Sequence, residues 1–410
     1  MSDHPDRTML LLGFVTMNLI TGIAAGILQM AVPLYALSLN ATNAQIGLIR
    51  GVGGMGFLLL VIPAGFLVDH FGSKKLYLMG SLGCNLVALA VSFATKSIAM
   101  IFLMGGYGFF RSLSFIATNA AFFRSLQTIG VERVGWLNGS LTLGFGFLGP
   151  LLGGYLAKNA DFPLIFQLVA LLMPVPILLV FFFYRESHRP VAAGNKQGVA
   201  AQLHDFKHLL LNRSIYQVLL AEGLGGACSG TFGVFIIVII VRTMHLSPTV
   251  ASFILTLHGG VFILAVFFGG SLLKKFSPPN LYLTTFAAAS LGLLGLAFTS
   301  GLFVIGLATV LLSAGLGMIQ LINYSRIGEI KGEKGKITSL LASAGSAGMT
   351  VGPLAAGLLG EYFGNQLIFA FFVPFFLLLS LQIILNESRE KEPAHETLLQ
   401  LEAVKEGEER

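Results

Sequence analysis

Twelve long apolar runs follow one another along this chain, over residues 9–37, 44–68, 76–94, 98–122, 134–157, 163–184, 215–241, 248–273, 281–300, 302–325, 337–360 and 366–385. Each is of the length, ~17–25 residues, that a helix needs to cross a hydrocarbon layer ~30 Å thick. Backbone groups in lipid have no water to bond to, so a spanning segment must close its own hydrogen bonds, as a helix does. Composition agrees: 55% of the residues are hydrophobic and 11% are charged, whereas a soluble domain carries about 25% charged residues. The chain reads as an all-α membrane protein with twelve transmembrane helices. Its first run is longer than the roughly 7–15 apolar residues of a secretory leader, which predicts that it is retained as a helix.

Lysine and arginine set the orientation. Twelve crossings put both termini on one side, where the loops hold fifteen Lys and Arg; the opposite loops hold only Lys96, Lys158 and Arg242. The positive-inside rule then places both termini in the cytoplasm, in a cytoplasmic (inner) membrane. The net charge of +6 follows from this topology and needs no nucleic-acid partner. Cys84 and Cys228 both fall inside runs, where a buried thiol acts as a small hydrophobe. No cluster of His, Cys or carboxylates has metal-ligand spacing, and no cofactor or metal is expected.

The longest interior polar segment, 185–213, divides the chain into an N-terminal six-helix bundle (1–184) and a C-terminal one (214–386), followed by an acidic cytoplasmic tail (387–410). The two bundles echo each other. Gly149-Pro150 recurs as Gly352-Pro353, Gly154 as Gly357, and Leu164-Ile165-Phe166 as Leu367-Ile368-Phe369, all at an offset of 203. Both bundles end on Glu-Ser, at 186–187 and 387–388. Repeated coincidence at one offset is the mark of an internal duplication.

Two stretches carry a family resemblance. GFLVDHFGSKK, after the second run, is similar to the loop pattern G-x-L-x-D-R-x-G-R-K through Gly65, Leu67, Asp69, Gly72 and Lys74, with His70 and Ser73 where basic residues are usual. GFGFLGPLLGG matches G-x(4)-G-P-x-x-G-G through Gly144, Gly149, Pro150, Gly153 and Gly154. On these residues the chain resembles the major facilitator superfamily over about residues 9 to 386. The resemblance implies two pseudo-symmetric bundles with a substrate site between them near the midplane. It also implies antiport, because the second pattern is associated with antiporters. Arg124 is expected to pair with Asp69 in a cytoplasmic latch.

Small residues at i, i+4 and i+5 let a neighbouring helix approach closely, and proline kinks a helix by removing a hydrogen bond. The glycine patterns of the fifth and eleventh runs therefore predict packing surfaces that hold the two halves together yet let them rock.

A charged group at a helix centre costs ~2.5–3.5 kcal/mol on insertion scales, so those present in the runs are functional candidates. They are Arg50, Arg111 and Glu222, with His258 as a fourth titratable group. Arg111 stands where the resemblance puts the Arg of R-x-x-Q-G, linked to proton coupling, although Ser114 and Phe115 replace the Gln and Gly. Glu222 is the only carboxylate inside a run and the candidate proton carrier, with His258 as a second candidate for that role and Arg111 tuning release or touching an anionic group. Arg50, ~9 Å from the outer face at 1.5 Å per residue, is either a substrate contact or a side chain that snorkels to water. Asn18, Gln29, Asn119 and Asn323 are candidate cavity-facing hydrogen-bonders.

No phosphate-cradling loop or nucleophile triad is present, which argues against ATP drive and enzymatic catalysis. The reading is a proton-coupled antiporter, functional as a monomer, that exports a small organic molecule by alternating access. The alternative is an uptake symporter for an anionic solute; a receptor-like membrane protein that moves nothing is the remote one.

Overall fold

The computed structural model describes residues 7–61, 64–130, 133–184, 213–329 and 334–385. The central loop and the acidic tail named above lie outside these residues. The helices are α1 (Arg7–Ser38), α2 (Asn43–Val61, resuming as Ala64–Phe71), α3 (Ser73–Val91), α4 (Ser97–Ile129), α5 (134–159) and α6 (Phe162–Phe183). The second half holds α7 (213–243), α8 (Pro248–Phe268), α9 (Pro278–Phe298), α10 (Leu302–Glu329), α11 (Lys334–Phe363) and α12 (Leu367–Leu385). Nine of these described helices are long and apolar enough to cross a membrane by themselves. The remaining three, α2, α3 and α11, lie alongside them, α2 against α4 and α11 and α3 against α4. Proline in the first turn opens α6, α8 and α9, a position where its missing N–H costs nothing and its fixed φ suits the helix.

Arg7, Lys74, Ile129 and Tyr184 gather at one face, where Arg7 Nε donates to Ile129 O and Lys74 Nζ to Tyr184 O. This is the near face; the far face carries the connections after α1, α3, α5, α7, α9 and α11. Gly72 begins α3 at φ 78° and ψ 151°, a backbone region that is nearly closed to any residue with a Cβ. That requirement explains glycine at this place in the loop pattern.

The halves meet on two seams. In one, α2 packs against α11: Asn43 Nδ2 donates to Gly360 O at 3.0 Å, and a Cβ on Gly357 would lie 2.6 Å from Asn43 O. In the other, α5 packs against α8, with Gly154 on Ser252 and Gly146 on Gly259. Both seams lie in the middle and far part of the bundle. One apolar core there draws on both halves. Toward the near face the cores separate, one built only from residues of the first half and one only from the second. The molecule is thus closed at its far face and parted toward its near face.

The glycine patterns divide their work between these surfaces. Gly144, Gly149 and Gly153 pack on α1 within their own bundle, where a Cβ on Gly149 would come 2.6 Å from Gly26 Cα. Gly352 packs likewise on Ala227 of α7. Only the last glycine of each pattern, Gly154 and its repeat Gly357, reaches across to the other half. Packing between the halves therefore falls to a smaller part of each pattern than the sequence predicts.

Pro150 introduces a widening in place of a simple kink. A five-residue π-turn, Gly144–Leu148, precedes it, and Gly149 N–H reaches back five residues to Gly144 O. Pro150 has no N–H to offer the carbonyl four residues back, which belongs to Gly146. That carbonyl lies against Gly259 of α8, where a side chain would collide with it. Pro353, by contrast, sits inside an unbroken helix.

Candidate functional site

Between the halves lies a cavity of about 450 Å³. Its first-half wall carries Gln29, Arg50, Tyr107 and Arg111, and its second-half wall carries Glu222, Gln320 and Tyr324. Phe57, Phe115, Phe145, Met104 and Met349 supply apolar surface. Small-molecule sites share this make-up, a mostly apolar concavity with a few polar groups that fix orientation. Among the lining residues Glu222 is the only acid.

Glu222 is held from behind. Asn323 Nδ2 donates to its Oε2 at 2.7 Å, and the Tyr282 hydroxyl donates to Asn323 Oδ1 at 2.6 Å. Asn323 is fully buried and Tyr282 nearly so, with the Arg326 guanidinium 5.9 Å from the tyrosine ring centroid. The hydroxyl occupies the amide oxygen and so turns the amide nitrogen toward the carboxylate. On its other side Glu222 meets Gly345 of α11, where a Cβ would lie 3.2 Å from Oε1. Three helices, α7, α10 and α11, therefore fix the orientation of one carboxylate.

On the opposite wall Arg50 and Arg111 are electrostatic neighbours, with Tyr107 one helical turn before Arg111. Arg111 also borders a smaller recess of about 50 Å³ inside the first bundle, lined by Asn18, Asn119, Ser114 and Thr118 among others.

The candidates from sequence thus separate. Arg50, Arg111, Gln29 and Glu222 line the central cavity, while Asn18 and Asn119 line the recess. Asn323 borders neither cavity; both ends of its amide bond within the wall. His258 also lies outside both linings: Nδ1 is 2.6 Å from Ser313 Oγ and its ring centroid is 4.5 Å from that of Phe232. Sequence reasoning missed Tyr107, Gln320 and Tyr324. For Tyr107 the signal was its spacing of four from Arg111, which puts both on one helix face; Gln320 and Tyr324 share a face by the same spacing, but no sequence candidate stood four residues from either to mark it. At the near face Arg124 Nη1 is 3.4 Å from Ser73 Oγ. The side chain of Asp69 and the surroundings of Gly65 lie outside the described residues, and with the former the expected pairing of Arg124.

A sequence profile described as the Major Facilitator Superfamily matches residues 14–324 and 218–405. "Multidrug resistance protein MdtG" of Salmonella paratyphi A (strain ATCC 9150 / SARB42) is 24% identical over 383 residues, covering 85% of this chain and 88% of that protein. Among solved structures, the nucleoside transporter NupG aligns with a TM-score of 0.75 at 16% identity, over 92% of this chain and 98% of that one. A bacterial homolog of the human lysosomal transporter Spinster, in an inward-facing and occupied conformation, aligns with a TM-score of 0.74 at 14% identity, over 94% and 98%.

Proposed function

The chain belongs to the major facilitator superfamily and is a multi-pass membrane transporter rather than an enzyme, and we propose that it exports a small organic molecule in exchange for protons. The observation that carries this reading is the cavity between the halves, whose lining has one carboxylate, Glu222, set among apolar side chains. Its likeness to a multidrug resistance protein supports export.

The substrate enters the cavity from the near face, which the excess of Lys and Arg assigns to the cytoplasm. Rocking of the halves closes that side and parts the α2–α11 and α5–α8 seams, so that the same site faces outward. Glu222 takes up a proton when the cavity faces outward and releases it when the cavity faces the near side, and Asn323 holds the oxygen that does not take it up. One chain contains both halves and the whole cavity, so a monomer suffices, and the membrane is the cytoplasmic one.

The test uses everted membrane vesicles with an acidic interior and a pH-sensitive dye, to which a chemically diverse panel of solutes is added. Proton release that follows a solute and vanishes in Glu222→Gln supports antiport at this residue. An equal response in Glu222→Gln, or none to any solute with folded and abundant protein, overturns the reading.

A further inference from the structure

Arg50 and Arg111 present a charge that the protein does not answer. Among the described residues neither guanidinium has a carboxylate in ion-pairing distance, and the electrostatic neighbours of Arg50 are Arg111 and Tyr107. Glu222, the one acid in the lining, interacts instead with Asn323, on the far wall of the cavity. Buried charges in proteins are normally paired, and ionisable groups within a membrane pair with each other or serve a pathway. Two like charges side by side are worse than one, because each raises the cost of the other. The Tyr107 hydroxyl adds to this: it is buried, with only 6% of the residue exposed, it faces the Arg111 guanidinium, which can only donate to it, and its own proton has no acceptor.

We infer that Arg50, Arg111 and Tyr107 form an anion subsite, and that the substrate is an amphiphilic organic anion whose carboxylate, phosphate or sulfonate binds there. The inference rests on the reading of this cavity as the transport site. An anionic head supplies the missing countercharge and an acceptor for the tyrosine hydroxyl. The guanidinium fork suits a planar or tetrahedral oxyanion better than an ammonium would. Phe57 and Phe115 on the same wall and Met349 on the second-half wall cover an apolar or aromatic body.

Purified protein in phosphatidylcholine nanodiscs tests this by ligand-induced thermal stabilisation. The probes are 1-naphthoate, its matched amine 1-naphthylmethylamine and the neutral 1-naphthalenemethanol. Naphthoate is expected to stabilise the protein with an affinity about tenfold or more above either match, since hydrogen bonds to charged groups are the strong ones. Arg111→Gln and Arg50→Gln should each lose that preference, Arg111→Lys should keep part of it, and Tyr107→Phe should weaken naphthoate alone. Lysophosphatidylglycerol against lysophosphatidylcholine distinguishes a lipid source of the anion: selective stabilisation by the former assigns the subsite to lipid headgroups, and its absence beside naphthoate binding assigns it to soluble anions. Equal binding of all three naphthyl probes, or unchanged naphthoate binding in a folded Arg111→Gln protein, overturns the subsite. Anion binding without solute-dependent proton release defeats the antiport reading and leaves the subsite standing; proton-coupled flux of cations without anion binding does the reverse.

Discussion

Asn323 and Glu222 sit on different helices, α10 and α7, yet the amide of one donates to the carboxylate of the other at 2.7 Å. Because Tyr282 completes the chain from behind at 2.6 Å, removing the amide strands the buried Tyr282 hydroxyl and takes one donor from the half-buried, cavity-lining Glu222. Asn323→Ala should therefore destabilise the protein by ~1–3 kcal/mol, the cost of leaving buried hydrogen-bonding groups unmet. Glu222→Gln retains an oxygen acceptor and should stay within ~1 kcal/mol of the parent while losing proton exchange. Thermal unfolding in nanodiscs, read beside proton flux, checks both; an Asn323→Ala protein as stable as the parent would show that the hydrogen bond contributes nothing.

Gly357 has no room for a side chain against Asn43 and Gly47 of α2. Gly357→Leu should therefore force open the far seam. Ile49, which is 2% exposed and lines the cavity behind that seam, supplies a reporter. In an Ile49→Cys background, a membrane-impermeant maleimide added at the far face should label several-fold faster when Gly357→Leu is present. An unchanged rate would mean that the α2–α11 contact is not the closure.

His258 has its Nδ1 partner in Ser313 and its ring against Phe232, away from both cavities. His258→Leu is expected to cost ~1–3 kcal/mol, since it leaves the buried Ser313 hydroxyl with one partner fewer, and to leave solute-dependent proton release per folded molecule intact. Loss of coupling at unchanged stability would return His258 to the proton path.

Charge movement separates export from uptake if the substrate is a monovalent anion. One anion leaving for one proton entering moves two charges in the same sense, worth about 4.6 kcal/mol per 100 mV. An anion and a proton entering together move none. Flux in proteoliposomes with a potassium diffusion potential should therefore follow the imposed voltage for export and ignore it for uptake.

The parts of this molecule that were legible in its sequence are those enforced by the bilayer and by close backbone contact. Helix ends follow the apolar runs to within a few residues, except where α4 continues to Ile129, seven residues past its run, because its last two turns pack in the near-face core of the first bundle. The repeat of Gly149 at Gly352 is matched in space, each packing on the first helix of its own half. The cavity was harder to read. Spacing assigns a residue to a helix face but not to what that face meets, so Asn323 and Gln29 looked alike although one is spent inside the wall and the other lines the cavity. The widening before Pro150 was hidden for a related reason: a π-turn is an extra residue in the winding, and nothing in GFGFL marks it as surplus.

That surplus residue puts a phase step into α5. A helix carrying it is wound one residue out of phase across Gly144–Leu148, and shifting the defect along the axis turns the stretch it passes by about 100°, the angle between successive residues. The α5–α8 seam carries this phase step at its Gly146–Gly259 contact, whereas the described residues of α2 and α11 are wound as plain α-helix along theirs.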